Sequence, residues 1–446
     1  MSYRGFFRST RTSFLLLAFI GRLPYAIVPI GTILLIQASS GSYTFAGLAA
    51  GAQSLAIALG GLGIGTVARW IPPRRIGAWA ALINATSIAL LLVASQTGGP
   101  ATVLATAVLV GLMQPQVGPL VRVHWSGWLR GAEPRLFGTA MSYECAVDEA
   151  SFVLGPALAG ALLLLPTAAL GFPQAGPLAG AAALLVIAAA PLARRYTDLV
   201  PDETATTRSS QGRAAVSVHW PSLLTLTIAM VGVGAVFGAV QTGAAAYAAA
   251  TGTPQLAGVY FAELGIGSAV AGAACAWLPQ RFGLTLRRWV FPVALTVGMG
   301  VLLWGAAHDL LPLAIAVGGL TVGPYMVTLY SLIEAQTPLS AMATAMAVLC
   351  AGGPIGTAAG QFLAGLLVDA HGPTTAFVLA PAAAGVGLAA SLLNAIVRTR
   401  RGDKGAPEST APANTTRPHH HRRQLMCAFR ESTRHRKWGE RHVSIR

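Results

Sequence analysis

The sequence predicts an all-α integral membrane protein of twelve transmembrane helices in two six-helix bundles, with both ends cytoplasmic. Three observations carry this reading. The chain is 54% hydrophobic and only 10% charged, where a soluble domain carries about a quarter charged residues. Its apolar residues fall in blocks of roughly 20, the length that crosses a bilayer as a helix. The blocks lack the apolar–polar alternation of barrel strands, and only helices and closed barrels satisfy every backbone polar group in lipid. Finally, Lys and Arg occupy alternate loops.

The expected spans are 13–37, 43–68, 76–95, 101–123, 138–165, 176–193, 221–249, 255–279, 289–306, 310–333, 340–368 and 374–397. Span 1 follows Arg4, Arg8 and Arg11, as a signal peptide would. No small-residue cleavage site follows its core Phe14 to Ile20, and apolar sequence resumes through Ile36 after Arg22 and Pro24. It therefore reads as uncleaved. With the N-terminus inside, the inner loops hold Arg69, Arg74 and Arg75, then Arg130 and Arg135, then Arg194, Arg195, Arg208 and Arg213, then Arg281, Arg287 and Arg288. The outer loops hold no Lys or Arg; their only charges are Asp309 and Asp369. Cytoplasmic loops collect the positive charge, and one span more or fewer would scramble this parity.

The longest internal polar break, 194–218, divides the chain into a first bundle (1–193) and a second (219–397). A basic tail, 398–446, holds 13 Lys and Arg against 4 Asp and Glu, nine of the fifteen net positive charges. Its composition predicts disorder and attraction to anionic lipid on the cytoplasmic face. His419 to His421 in that tail are too weak a pattern for a metal site. The cysteines, Cys145, Cys275, Cys350 and Cys427, have no metal or disulfide spacing.

The two halves echo each other. Trp70-Ile-Pro-Pro-Arg74 recurs as Trp277-Leu-Pro-Gln-Arg281, Thr139-Ala-Met141 as Thr344-Ala-Met346, Leu158-Ala-Gly160 as Leu363-Ala-Gly365, and Gly111-Leu112 as Gly319-Leu320. The offsets are 205 to 208 residues. They pair span 2 with 8, 4 with 10 and 5 with 11, a parallel six-plus-six duplication.

Over residues 13–397 the chain resembles the major facilitator superfamily, and within it permeases common in actinobacteria. The resemblance rests on Arg22-Leu-Pro24, Gly41-Ser-Tyr-Thr-Phe-Ala-Gly47, Arg122, Tyr143-Glu144, Asp148-Glu149, Phe152-Val-Leu-Gly-Pro156 and the block Phe237-Gly238 to Ala257-Gly258. It implies the superfamily's fold, transport by alternating access, and a cytoplasmic gate at Arg69, Arg74, Arg75, Arg281 and Glu334. It also implies a hinge in span 5 at Gly155, Pro156 and Gly160, an element associated with exporters. The chain departs from the pattern at Arg69, Gln241 and Ala345, where relatives carry acidic residues.

Charges inside a span are costly, face a cavity and pair. Here they are Arg22, Glu144, Asp148, Glu149 and Glu263, with Arg122 and Glu334 near span ends. Glu144 and Asp148 are four apart and share a helix face. Two carboxylates in a poor dielectric resist joint ionisation, so one holds a proton or an Arg neutralises it. An Arg that leaves with a moving half would couple transport to proton uptake. Arg122 is the first partner by position and Arg22 the second. A fixed ion-pair cluster, or a Glu144 wetted at the inner interface, are the structural alternatives. Gln53, Gln114, Gln116, Gln241, Tyr247, Tyr325 and Tyr330 are candidates for the lining of a substrate cavity, or equally for satisfied helix contacts.

A proton-coupled exporter of a small organic solute is the leading expectation. Uptake or facilitation by the same fold, and a non-transporting receptor or scaffold, remain open. A membrane enzyme is disfavoured: there is no His-Glu-x-x-His motif, His124 and His219 stand apart beside Trp125 and Trp220, and no Gly-x-x-x-x-Gly-Lys loop for ATP is present. The expected partners are the lipid bilayer of the cell membrane, the solute and protons. No cofactor, metal or nucleic acid is expected, and the chain is expected to be monomeric.

Overall fold

The computed structural model describes residues 12–67, 70–129, 134–167, 171–172, 174–196, 219–279, 281–338 and 341–400. Among them twelve helices are long and apolar enough to cross a membrane. They are α1 Thr12–Ser40, α2 Tyr43–Gly63, α3 Pro73–Thr97, α4 Pro100–Trp128, α5 Thr139–Leu162, α6 Gly176–Ala193, α7 Trp220–Ala250, α8 Leu256–Trp277, α9 Leu284–Ala307, α10 Leu311–Gln336, α11 Thr344–His371 and α12 Pro373–Val397. Each overlaps one expected span. Arg69, the segment 197–218 and the tail from 401 lie outside the described residues, so the expectations placed on them stay expectations. Large apolar residues such as Leu59, Leu62, Val297 and Leu313 are exposed, as a lipid-facing surface requires. The repeat partners Trp70 and Trp277 are 85% and 81% exposed, in keeping with an interfacial aromatic belt.

Apolarity sets where the helices lie, and Pro and Gly set where they break. α1 is interrupted at Gly21–Arg22 and restarts as Leu23–Ser40, with Pro24 in the first turn, where its missing N–H goes unused. α4 is two pieces, Pro100–Leu112 and Val117–Trp128. Pro115 lacks an N–H to give the preceding turn, and the ladder fails around it; Pro119 falls in the first turn of the second piece, where its missing N–H goes unused. A π-helical turn, Leu185–Ala189, interrupts α6.

The helix of α5 runs from Pro134 to Leu162 through Gly155 and Pro156. These residues let backbones meet. A Cβ on Gly258 would overlap the Pro156 carbonyl oxygen, and one on Gly160 would overlap that of Gln255. Small residues four apart allow such approach.

The two halves meet mainly where α11 lies along α2 and α8 along α5. These contacts are related by the internal repeat. Gly160 on α5 receives the backbone at the start of α8, and its repeat partner Gly365 on α11 receives the Tyr43 carbonyl at the start of α2. Gly47 likewise sits against the Gln361 carbonyl. All these contacts lie toward the end where α1 turns into α2 and α11 into α12. That end is closed.

Candidate functional site

A buried ionic cluster joins α1, α4 and α5. The break in α1 puts Arg22, only 4% exposed, against the α5 face that carries Glu144 and Asp148. Arg22 bonds Glu144, which is fully buried, and its Nε lies 3.0 Å from Asp148 Oδ1. Arg122 closes the set on Asp148. Trp125 Nε1 donates to the second Glu144 oxygen at 2.8 Å, and Arg22 Nη1 donates to the Ala18 carbonyl at 3.3 Å. Two guanidinium groups thus balance two carboxylates. Both acids have a guanidinium in direct contact. Arg22 contacts both acids and Arg122 only one, which reverses the expected order of partners. All four residues belong to the first half, so rocking of one half against the other does not part them.

A second site lies between the halves. A cavity of about 320 Å³ is lined from the first half by Tyr25, Ser54, Glu149 and Phe152, and from the second by Phe237, Gln241, Phe261, Met326 and Thr357. The aromatic rings pair edge to face, Tyr25 with Phe152 at 5.9 Å and Phe237 with Phe261 at 6.1 Å. A polar chain borders it: Gln361 Nε2 donates to Gln241 Oε1 at 2.6 Å, and Ser54 Oγ donates to Gln361 Oε1 at 3.2 Å. That chain crosses from α7 through α11 to α2. A smaller cavity of about 220 Å³ adjoins at Tyr25 and Phe152 and reaches the α4 break, Arg22 and Asp148.

The closed end has its own polar lock. Asp369, at the end of α11, accepts from Ser42 Oγ at 2.7 Å and from the backbone N–H groups of Tyr43 and Thr44 at 2.9 and 2.8 Å. It therefore caps the N-terminus of α2 from the opposite half, where the helix dipole favours an anion.

The sequence candidates sort by helix phase. Glu149 is one residue past Asp148 and so points about 100° away; it faces the central cavity and stays out of the ionic cluster. Of the cavity candidates, Gln241 lines the central cavity. Gln53 is buried and accepts from Thr32 Oγ1 at 2.7 Å, and Gln114 is buried at the α4 break. Tyr325 is fully buried in the second half, its hydroxyl 2.8 Å from the Gly387 carbonyl and 2.7 Å from Ser391 Oγ. Tyr247 lies at the far end, 3.4 Å from Asp309. Tyr330 lies within electrostatic range of Glu149. Glu263 does not line the central cavity, and one of its oxygens is buried without a hydrogen-bond partner. Arg74, Arg75, Arg281 and Glu334 are exposed. Sequence reasoning passed over Gln361, Ser54, Tyr25 and the phenylalanines. Each is one more polar or aromatic residue in an apolar helix until a facing helix selects it.

The comparisons agree with this architecture. The family model described as Major Facilitator Superfamily matches residues 226–437. A comparison with curated proteins finds no match. Among solved structures, the chain is similar to the nucleoside transporter NupG, with a TM-score of 0.65 and 14% identity over 86% of this chain and 99% of that one. It is also similar to a bacterial homologue of the human lysosomal transporter Spinster in an inward-facing and occupied conformation, with a TM-score of 0.67 and 14% identity over 89% and 97%. PepTSo, a POT family transporter, aligns with a TM-score of 0.64 and 12% identity over 88% and 98%. The family match covers just under half of the chain, and the solved structures share its twelve-helix architecture over nearly all its length, so the chain has the fold of major facilitator superfamily transporters.

Proposed function

We propose that this chain is a secondary active transporter that moves a small organic solute through the cavity between its halves by alternating access, exporting it in exchange for protons. The carrying observation is the cavity itself. It lies between the two halves, has the size and mixed apolar, aromatic and amide lining of small-molecule sites, and sits beside cross-half backbone contacts toward the α1–α2 end. Proton exchange is supported by Glu149, a carboxylate on the cavity wall, and by the ionic cluster one residue behind it. The substrates of the similar transporters, nucleosides and peptides among them, suit a cavity of this size without choosing one.

Facilitated movement without protons is the second reading. The observation that favours it is that Arg22, Arg122, Glu144 and Asp148 are charge-balanced within one half and serve equally well as a fixed lock. Proton movement in inverted vesicles, followed with a pH-quenched dye against a panel of amphipathic drugs, sugars and organic acids, decides between them. Solute-triggered proton release that disappears in Glu149→Gln or Asp148→Asn supports exchange. Solute flux without proton movement supports the facilitator. Neither flux nor proton movement, in inserted and folded protein, overturns the transport reading.

A further inference from the structure

We propose that the central cavity selects organic cations with an apolar body, with Glu149 as their counter-ion; this deepens the transporter reading and rests on it only for the claim that the ligand is carried. The argument starts from charge. Of the four carboxylates on α5 and α8, Glu144 and Asp148 are taken up by Arg22 and Arg122, and Glu263 does not line the cavity. Glu149 alone presents a carboxylate to it. Among the described residues no Lys or Arg lines the cavity, and none forms a salt bridge with Glu149. Arg22 lines the adjoining smaller cavity, but both of its nearby carboxylates already hold it.

A carboxylate in a membrane-buried cavity lacks full hydration, and a bound cation supplies the missing counter-charge. The remaining wall suits the rest of such a ligand. Tyr25, Phe152, Phe237 and Phe261 offer ring faces and edges to a cation and its apolar body, and Met326 adapts to irregular shape. Gln241 and Ser54 are tied to Gln361, which leaves the polar chain largely self-satisfied. An organic anion would meet Glu149 with no lining cation to offset it. Neutral solutes of the same shape would gain the apolar contacts and nothing from Glu149.

The test measures binding of tetraphenylphosphonium, its near-isosteric anion tetraphenylborate, and neutral triphenylphosphine oxide to the purified full chain in nanodiscs. Tetraphenylphosphonium should bind, with Glu149→Gln weakening it by about tenfold or more while leaving the neutral analogue unchanged. Glu149→Lys should shift preference toward tetraphenylborate, which keeps the test informative if one variant fails to fold. Equal binding of cation and anion, cation binding that ignores Glu149→Gln, or no cation binding by folded protein would each overturn the proposal. In sealed proteoliposomes, maleimide labelling from either side of a cysteine placed at Phe237, in a chain whose own four cysteines are replaced by serine, reports alternating access directly. Alternation without cation preference leaves transport standing and removes the cation class; cation binding without alternation keeps the cation site and removes transport.

Discussion

α5 and α11 hold matching places in the sequence repeat, yet they face the centre of the molecule with opposite chemistry. Thr139 matches Thr344 and Leu158 matches Leu363 at one offset, so the residues between them correspond one to one. Glu144 then corresponds to Leu349, Asp148 to Gly353 and Glu149 to Pro354. Leu349 is fully buried, as Glu144 is. α5 is held to α1 and α4 by ion pairs. The second half is held by neutral hydrogen bonds, such as Tyr325 to Ser391 and Asn394 Nδ2 to Ser222 and Thr225 at 2.8 Å each. The matched positions share the glycine contacts, Gly160 with Gly365, while the buried ion pairs occur on α5 and have no counterpart at the matched positions of α11. One half is therefore braced electrostatically, and the cavity wall carries its carboxylate on that side alone.

This contrast can be broken at four places. The largest effect is expected at Arg22. Arg22→Ala leaves a fully buried Glu144 without its cation and should destabilise the protein by roughly 3–5 kcal/mol, read as a fall in thermal stability in detergent. The double variant Arg22→Met/Glu144→Leu imitates the neutral second half and leaves Asp148 paired with Arg122. It should lose less than the two single variants summed, and additivity would deny that the cluster acts as a unit.

Next comes the closed end. Gly258→Val puts side-chain atoms into the Pro156 carbonyl and should disfavour closure by about 1–3 kcal/mol. Cysteine cross-linking between the α5 and α8 ends should fall accordingly, with the fold intact. Asp369→Ala removes a cap and its charge from α2 and should loosen the same end by about 1 kcal/mol. Its repeat counterpart is the apolar Leu164, so only the α2–α11 side should respond. The smallest effect is on the stability of Glu149→Gln. That carboxylate is exposed to the cavity, so the change should stay within about 0.5 kcal/mol. A drop comparable to that of Glu144→Gln would place Glu149 in the ionic brace after all.

Much of the fold is legible in the order of residues along the chain. Spans of apolar residues stand out because lipid rewards uninterrupted apolarity and forbids unsatisfied backbone. The repeat stands out because its marker residues, Trp70 with Trp277 and Gly160 with Gly365, keep fixed roles. The site is only partly legible. Arg22, Glu144 and Asp148 announce themselves, since charge in a span is rare and needs a partner. Gln361, Phe237 and Tyr25 do not, because the same residue types at Gln53, Tyr325 and Tyr247 serve packing or the far end.

The sequence by itself determined the number and order of the helices, the two-fold repeat, and the existence of a charged cluster in the first half. These depend on composition and spacing along one chain. Only the tertiary structure decided which Arg holds which acid, that Glu149 turns from its neighbours toward the cavity, that Gly155-Pro156 joins helices, and that Asp369 caps a helix from the other half. Those outcomes depend on helix phase and on which faces meet across more than a hundred residues. Apolar helices in lipid carry no periodic mark of their inner face, so only the packing itself reveals it.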